Sequence, residues 1–206
     1  MSNVLVIKAH PLTGEESSSM KLMEQFIQTY SEKHGQESVK VLDLYSSYIP
    51  EVDETLLTAW NSLKAGAEFT SLSPEQQTAV SRFNELTEQF LAADKIVIAN
   101  ALWNLNVPTR LKAWIDTVNV SGKTFKYTAT GPVPLTEGKK VLHIQSNGGS
   151  YDGQDFSSQF VKGILNFVGV EDFHQLFVEG VDHYPERRDD ILGTALAKAS
   201  AFATDF

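Results

Sequence analysis

Ser17-Ser18-Ser19 stands where an irregular stretch, residues 9–16, gives way to a helical pattern. The first N–H groups of a helix lack intrahelical partners and the helix dipole is positive there, so the position suits an anion. Three hydroxyls add donors that can replace water around a phosphate. The Gly-Lys-Ser/Thr ending of a triphosphate loop and the G-x-G-x-x-G of a dinucleotide loop are both missing, which leaves a monophosphate to expect. A simpler reading stands beside it: Ser17 caps the helix and binds nothing. Glu15 and Glu16 must turn outward if an anion sits here, and His10 either faces the same spot or serves the loop's structure.

Two further stretches complement the first. Leu102, Trp103 and Leu105 can form apolar walls for a flat ring, with Asn104 and nearby N–H groups as fixed donors. Alternatively, Trp103 staples a helix and Asn104 makes a turn. In Ser146-Asn147-Gly148-Gly149-Ser150 the glycines let backbone approach a ligand closely, unless the segment is only a loose turn.

Other chemistries are poorly served. The chain has no cysteine, so disulfides, thiolate nucleophiles and zinc–cysteine sites are excluded, and redox chemistry needs a bound cofactor. There is no G-x-S-x-G and no H-E-x-x-H, and the five histidines show no metal-ligand spacing, so no metal is expected. A net charge of −9 without a basic stripe argues against nucleic acid and anionic membranes. The start of the chain lacks a basic, apolar leader and no stretch reaches the ~18 apolar residues of a membrane span, so a cytoplasmic protein is expected.

The three stretches need elements to bring them together. Short apolar runs at 4–7, 39–44, 95–100, 141–146 and 173–178 read as buried strands. Helical patterns fill 20–35, 54–67, 73–92, the segment opened by Pro108, 156–168 and 185–203. Ser73-Pro74-Glu75-Gln76 is a helix start, with Ser73 as cap and Pro74 at the first position. Residues 124–130 alternate like a hairpin that stops at Gly131-Pro132. Alternating strands and helices imply α/β architecture, a three-layer sandwich with helices on both faces of a parallel sheet. Five strands fit the flavodoxin-like order 2-1-3-4-5, which gathers the loops after strands one, three and four at one crevice. Its 206 residues suit a single domain, 1–206, without repeats or linker.

The block from Leu102 to Asp116 resembles the FMN-dependent NADH azoreductase / NADH:quinone oxidoreductase family. The likeness continues through Gly122-Lys123-Thr124-Phe125-Lys126-Tyr127-Thr128, Gly131-Pro132, Gly138-Lys139-Lys140, Ser146-Asn147-Gly148-Gly149 and Glu179-Gly180. The resemblance implies a flavodoxin-like homodimer with FMN at the subunit interface. It implies phosphate contacts at Ser17, Ser18 and Ser19, and flavin-ring contacts at Leu102, Trp103, Asn104, Leu105, Ser146, Asn147, Gly148 and Gly149. Phe125 and Tyr127 are then candidate lid residues over an aromatic acceptor, with Tyr151, Phe167 and His183 as pocket wall; they could equally cover core. The implied reaction is ping-pong: NADH or NADPH gives a hydride to the flavin, then a quinone or azo compound takes two electrons at the same face. No side chain need act as catalytic acid or base, because flavin N5 carries the hydride. A flavodoxin-like electron carrier without small-molecule turnover and a flavin-free regulatory domain are the rivals.

Overall fold

The computed structural model describes residues 4–206; the first three, where a leader would begin, lie outside the described residues. Five parallel strands form the central sheet: β1 (Val4–Ala9), β2 (Val39–Asp43), β3 (Lys95–Ala101), β6 (Lys140–Asn147) and β7 (Asp172–Glu179). Their order is β2-β1-β3-β6-β7, the 2-1-3-4-5 pattern once the hairpin strands β4 (Phe125–Thr128) and β5 (Gly131–Pro134) are set aside. β1, β3 and β6 are thus consecutive neighbours, and their carboxyl ends lie side by side.

Among the described residues six α-helices accompany these strands: α1 (Ser18–His34), α2 (Glu54–Lys64), α3 (Pro74–Ala92), α4 (Thr109–Val118), α5 (Phe156–Val168) and, after β7, α6 (Arg188–Asp205). α1 and α6 cover one face. Met20, Met23, Phe26 and Tyr30 recur at helical spacing and pack with Ala195, Ala199 and Ala203 of α6 over Val4, Val6, Val97, Leu142 and Ile144. The alanines, four apart, let α6 approach closely, and Gln25 reaches across to Ser200 at 3.0 Å. α3, α4 and α5 cover the other face, where Trp114 and Phe90 are fully buried against Ile7, Ile96 and Ile98. Removing a buried side chain as large as Trp114 costs about 3–5 kcal/mol.

The hairpin departs from expectation. Gly131-Pro132 does not end it but begins its second strand, with Pro132 opposite Tyr127 and Pro134 opposite Phe125. A two-stranded ribbon consists only of edges, so proline costs no ladder bond on the outer side. The hairpin comes after α4, which descends from the carboxyl end of β3, and precedes β6. It therefore lies at the amino end of the sheet, where Thr136 donates from N–H and hydroxyl to the Val168 carbonyl (3.2 and 2.6 Å). No helix among the described residues is long and apolar enough to cross a membrane.

Candidate functional site

The loop after β1 is held from below. Gly14 donates its N–H to Glu24 on α1 at 2.8 Å, and a Cβ at this buried glycine would sit 2.1 Å from that carboxylate. Glu15 and Glu16 are exposed, and Glu16 is tied to the N–H and hydroxyl of Thr13 at 3.1 and 2.7 Å. Those bonds, the hydroxyl's first, hold its carboxyl below the usual range. Ser17 occupies the N-cap position of α1 but makes no capping bond; its hydroxyl meets that of Ser19 at 3.1 Å. The first-turn N–H groups of Ser18, Ser19 and Met20 have no acceptor among the described residues, and no acidic residue lies in that turn. Ser17 and Ser19 are buried and Ser18 half-buried. The result is a cluster of donors around a positive helix end.

His10 connects this loop to the next. Its ring lies 5.1 Å from that of Trp103, and its Nδ1 accepts the Leu12 N–H at 3.1 Å. Burial, then the Lys8 charge, pushes its pKa below the ordinary value. Near neutral pH the imidazole is uncharged, with its proton on Nε2.

The loop after β3 is a tight hairpin turn. Trp103 and Asn106 exchange backbone bonds of 3.2 and 2.9 Å, and the two residues between them have positive φ, 50° at Asn104 and 61° at Leu105. Asparagine tolerates this left-handed conformation; leucine adopts it at a cost. Trp103, Asn104 and Leu105 are exposed on the turn, and the Leu102 N–H donates to the Ser146 carbonyl at 2.9 Å. That bond joins the second loop to the third. Beside the turn a cavity of ≈ 490 Å³ is lined by Asn106, Val107, Thr109, Lys112, Phe156 and Phe160. A larger one, ≈ 690 Å³, lies among Val4, Val39 and Ala92 at the far end of the sheet and includes none of the three loops.

In the loop after β6 the carbonyls of Gly148 and Gly149 are taken by the segment after β7. Gly180 N–H bonds Gly149 O at 3.0 Å and His183 N–H bonds Gly148 O at 3.3 Å. A trans peptide points its C=O and N–H in opposite directions. The N–H groups of Gly149 and Ser150 therefore point away from the segment after β7. Asn147 is buried, its amide donating to Glu179 at 2.7 Å and its Oδ1 accepting from Gln145 at 2.9 Å, so its side chain is held inside the protein and turned from the crevice. Tyr151 lies against Gly149, and His183 is exposed beside Tyr184, both at this end of the sheet.

The remaining three pocket candidates lie elsewhere in the chain. Phe125 is buried and packs 4.8 Å from Phe167 at the end of α5, while Tyr127 beside it is 72% exposed. A connection between a helix and the next strand belongs to the amino end of the sheet. These rings are thus roughly 20 Å from the three loops, the length of a seven-residue strand at about 3.3 Å per residue. The expected lid is not formed over the cradle of the same chain.

Sequence reasoning missed a buried polar ladder beneath the loops. His143 donates from Nε2 to Asn100 Oδ1 (2.8 Å), Asn100 donates to Gln145 (3.3 Å), and Gln145 donates to Asn147 and Asp155 (2.9 and 3.1 Å). Desolvation drives the His143 pKa down to about 4. The signal was there: His143, Gln145 and Asn147 alternate along a strand buried on both faces, so all three share one side.

Over residues 2–203 the chain matches the family model for the flavodoxin-like fold. It is 46% identical to an FMN-dependent NADH:quinone oxidoreductase of Streptococcus suis, with 96% of each chain covered. It is 44% identical to a protein of the same name from Geobacillus kaustophilus over 100% of both chains. Among solved structures, an FMN-dependent NADH-azoreductase from Bacillus anthracis in complex with FMN aligns with a TM-score of 0.92 at 32% identity, covering 100% of this chain and 99% of that one. The chain belongs to the flavodoxin-like fold family, alongside the FMN-dependent NADH:quinone oxidoreductases.

Proposed function

We propose that this chain, acting as one domain in the cytoplasm, binds FMN and uses NADH or NADPH to reduce quinones and cleave aromatic azo bonds. The observation that carries the reading is the junction of three loops. The His10–Trp103 ring contact joins the first to the second, and the Leu102–Ser146 bond joins the second to the third. Relatives bearing the FMN-dependent quinone oxidoreductase and azoreductase names supply the chemical class.

The residues fit the cofactor part by part. The uncapped α1 terminus and the hydroxyls of Ser17, Ser18 and Ser19 suit a terminal phosphate dianion. Neutral His10 adds an N–H donor nearby rather than a charge. Leu102, Trp103 and Leu105 offer apolar surface for a tricyclic ring, and Asn104 a polar edge. The outward N–H groups of Gly149 and Ser150 suit the electron-rich pyrimidine side of that ring. Bound FMN supplies hydride acceptance from a nicotinamide and onward two-electron transfer. The protein's work is to seat the ring, exclude water from one side, and leave the other open to donor and acceptor in turn.

A homodimer accounts for the displaced aromatics. Tyr127, Phe167 and Leu135 are exposed together at the amino end of the sheet, an apolar surface that their own chain leaves uncovered. A second copy could present this hairpin to the cradle and supply the lid that one chain cannot.

The test is direct. Purified protein should be yellow, with absorbance near ~450 nm, and should oxidise NADH or NADPH with menadione and with methyl red. Parallel double-reciprocal plots should mark the shared face. A colourless protein that takes up no added FMN overturns the reading; flavin without turnover of either acceptor returns it to an electron carrier.

A further inference from the structure

The carboxylate of Glu179, at the carboxyl end of β7, collects four hydrogen bonds. Oε1 accepts from the Asn147 amide at 2.7 Å and from the N–H groups of Tyr151 and Asp152, each at 3.1 Å; Oε2 accepts from the Asp152 N–H at 3.1 Å. Among the described residues it forms no ion pair. Every donor lies on one segment, residues 147–152, which carries Gly148-Gly149. Asp152, which gives two of the four bonds, has a φ of 49°, a conformation that needs outside support.

We infer that Glu179 is a positioning residue for the cofactor cradle, orienting the 147–152 segment so that the N–H groups of Gly149 and Ser150 face bound FMN. The inference rests on the FMN reading proposed for this site. The segment is gripped at two levels. The backbone after β7 holds the Gly148 and Gly149 carbonyls, which fixes those peptide planes on one side. Glu179 gathers both ends of the segment, residue 147 before the glycines and residues 151–152 after them. Without that acceptor the buried Asn147 amide and two backbone N–H groups lose their partner. The segment can then satisfy them only by turning toward solvent, which rotates the glycine planes as well.

Reach, rather than charge, carries this role, and two substitutions separate them. Glu179→Gln keeps the length and one carbonyl oxygen, whose two lone pairs can still serve the Asn147 amide and the Tyr151 N–H, and loses the charge and the Asp152 bonds. Glu179→Asp keeps the charge and is one methylene too short. FMN retention is read from the fluorescence released on serial dilution of each purified holoprotein, with thermal melting as the check on folding. Glu179→Asp should raise the FMN dissociation constant about tenfold, and Glu179→Gln should stay within about threefold of the wild type. Equal losses, a greater loss in the Gln variant, or no loss in either overturns the inference. A wild-type protein that holds no FMN overturns the proposed function instead.

Discussion

Helices α1 and α3 both begin with a serine at the N-cap, and the two serines behave differently. Ser73 closes its helix: its Oγ accepts the Gln76 N–H at 3.2 Å while Gln76 Oε1 accepts the Ser73 N–H at 3.1 Å, and Pro74 sits next in the chain. Ser17 has a similar extended backbone, yet its hydroxyl turns to Ser19 and leaves the helix end open. Asp53 and Asp155 cap α2 and α5 as Ser73 caps α3. A side-chain cap contributes about 1 kcal/mol, so α1 gives up stability that three other helices keep. The open end coincides with the junction of three loops. A serine's type thus predicts a helix start, while the task of its hydroxyl depends on the groups that stand opposite.

Removing the hydroxyls strikes this contrast hardest. Ser17→Ala combined with Ser19→Ala should lower FMN affinity on the order of 100-fold, since hydrogen bonds to a charged group contribute about 1.5–3 kcal/mol each. The melting temperature without added FMN should barely move, because neither hydroxyl caps the helix. Fluorescence titration with FMN measures the first and a thermal melt the second. Unchanged affinity would make the open helix end an accident.

A parallel contrast divides the two faces of β6. Leu142 and Ile144 look into the apolar layer under α1 and α6, whereas His143, Gln145 and Asn147 form the polar ladder under the cradle. His143 is buried with Nδ1 unpartnered among the described residues. Its native pKa is pushed down to about 4 by burial, against the opposing pull of Asp155, from an ordinary value of 6.5. Between those values the unfolded chain binds a proton that the native protein does not. Stability is therefore full above pH 6.5 and declines as the pH falls to 4, by roughly 3 kcal/mol at about 1.4 kcal/mol per unit. Urea melts across that window should show the decline, and His143→Gln, which keeps a donor for Asn100, should flatten it. An unaltered slope in the variant would place the proton elsewhere.

Ser73→Ala is the converse of the double serine variant. It should cost about 1 kcal/mol, or roughly 2–4 °C in melting temperature, and leave FMN affinity untouched. Loss of affinity in this variant would show that the two helix starts are coupled.

These contrasts also mark how far the sequence could be read. Strands β1 and β3 were legible because a run buried on both faces is almost wholly apolar, and α3 because Ser73 and Gln76 bond each other locally with Pro74 at the first helical position. The three loops were legible because β1, β3 and β6 are neighbours in a 2-1-3-4-5 sheet. Aromatic type alone did not disclose which end of the sheet Phe125, Tyr127 and Phe167 occupy. Chain direction did hold that information, because a connection leaving a descending helix lies at the amino end. The side chain of Asn147 was illegible for another reason. Its partner Glu179 lies 32 positions away, and only the β6–β7 register brings the two opposite each other.

Leu105 offers the finest test of the loop junction. A two-residue hairpin turn of this kind favours Asn or Gly at both central positions, and Asn104 satisfies the first. Leu105 at φ 61° bears a strain of about 1 kcal/mol, and at 46% exposure packing offsets little of it. Leu105→Asn should therefore raise stability by up to about 1 kcal/mol, whereas Leu105→Gly should gain less, because glycine also loosens the unfolded chain. If the strain persists to supply an apolar wall, the Asn variant should also show a KM for menadione raised a few-fold, with bound flavin retained. Melting curves and steady-state kinetics on the same preparation decide it. A variant both more stable and kinetically unchanged would leave the turn strained for no purpose the cradle can explain.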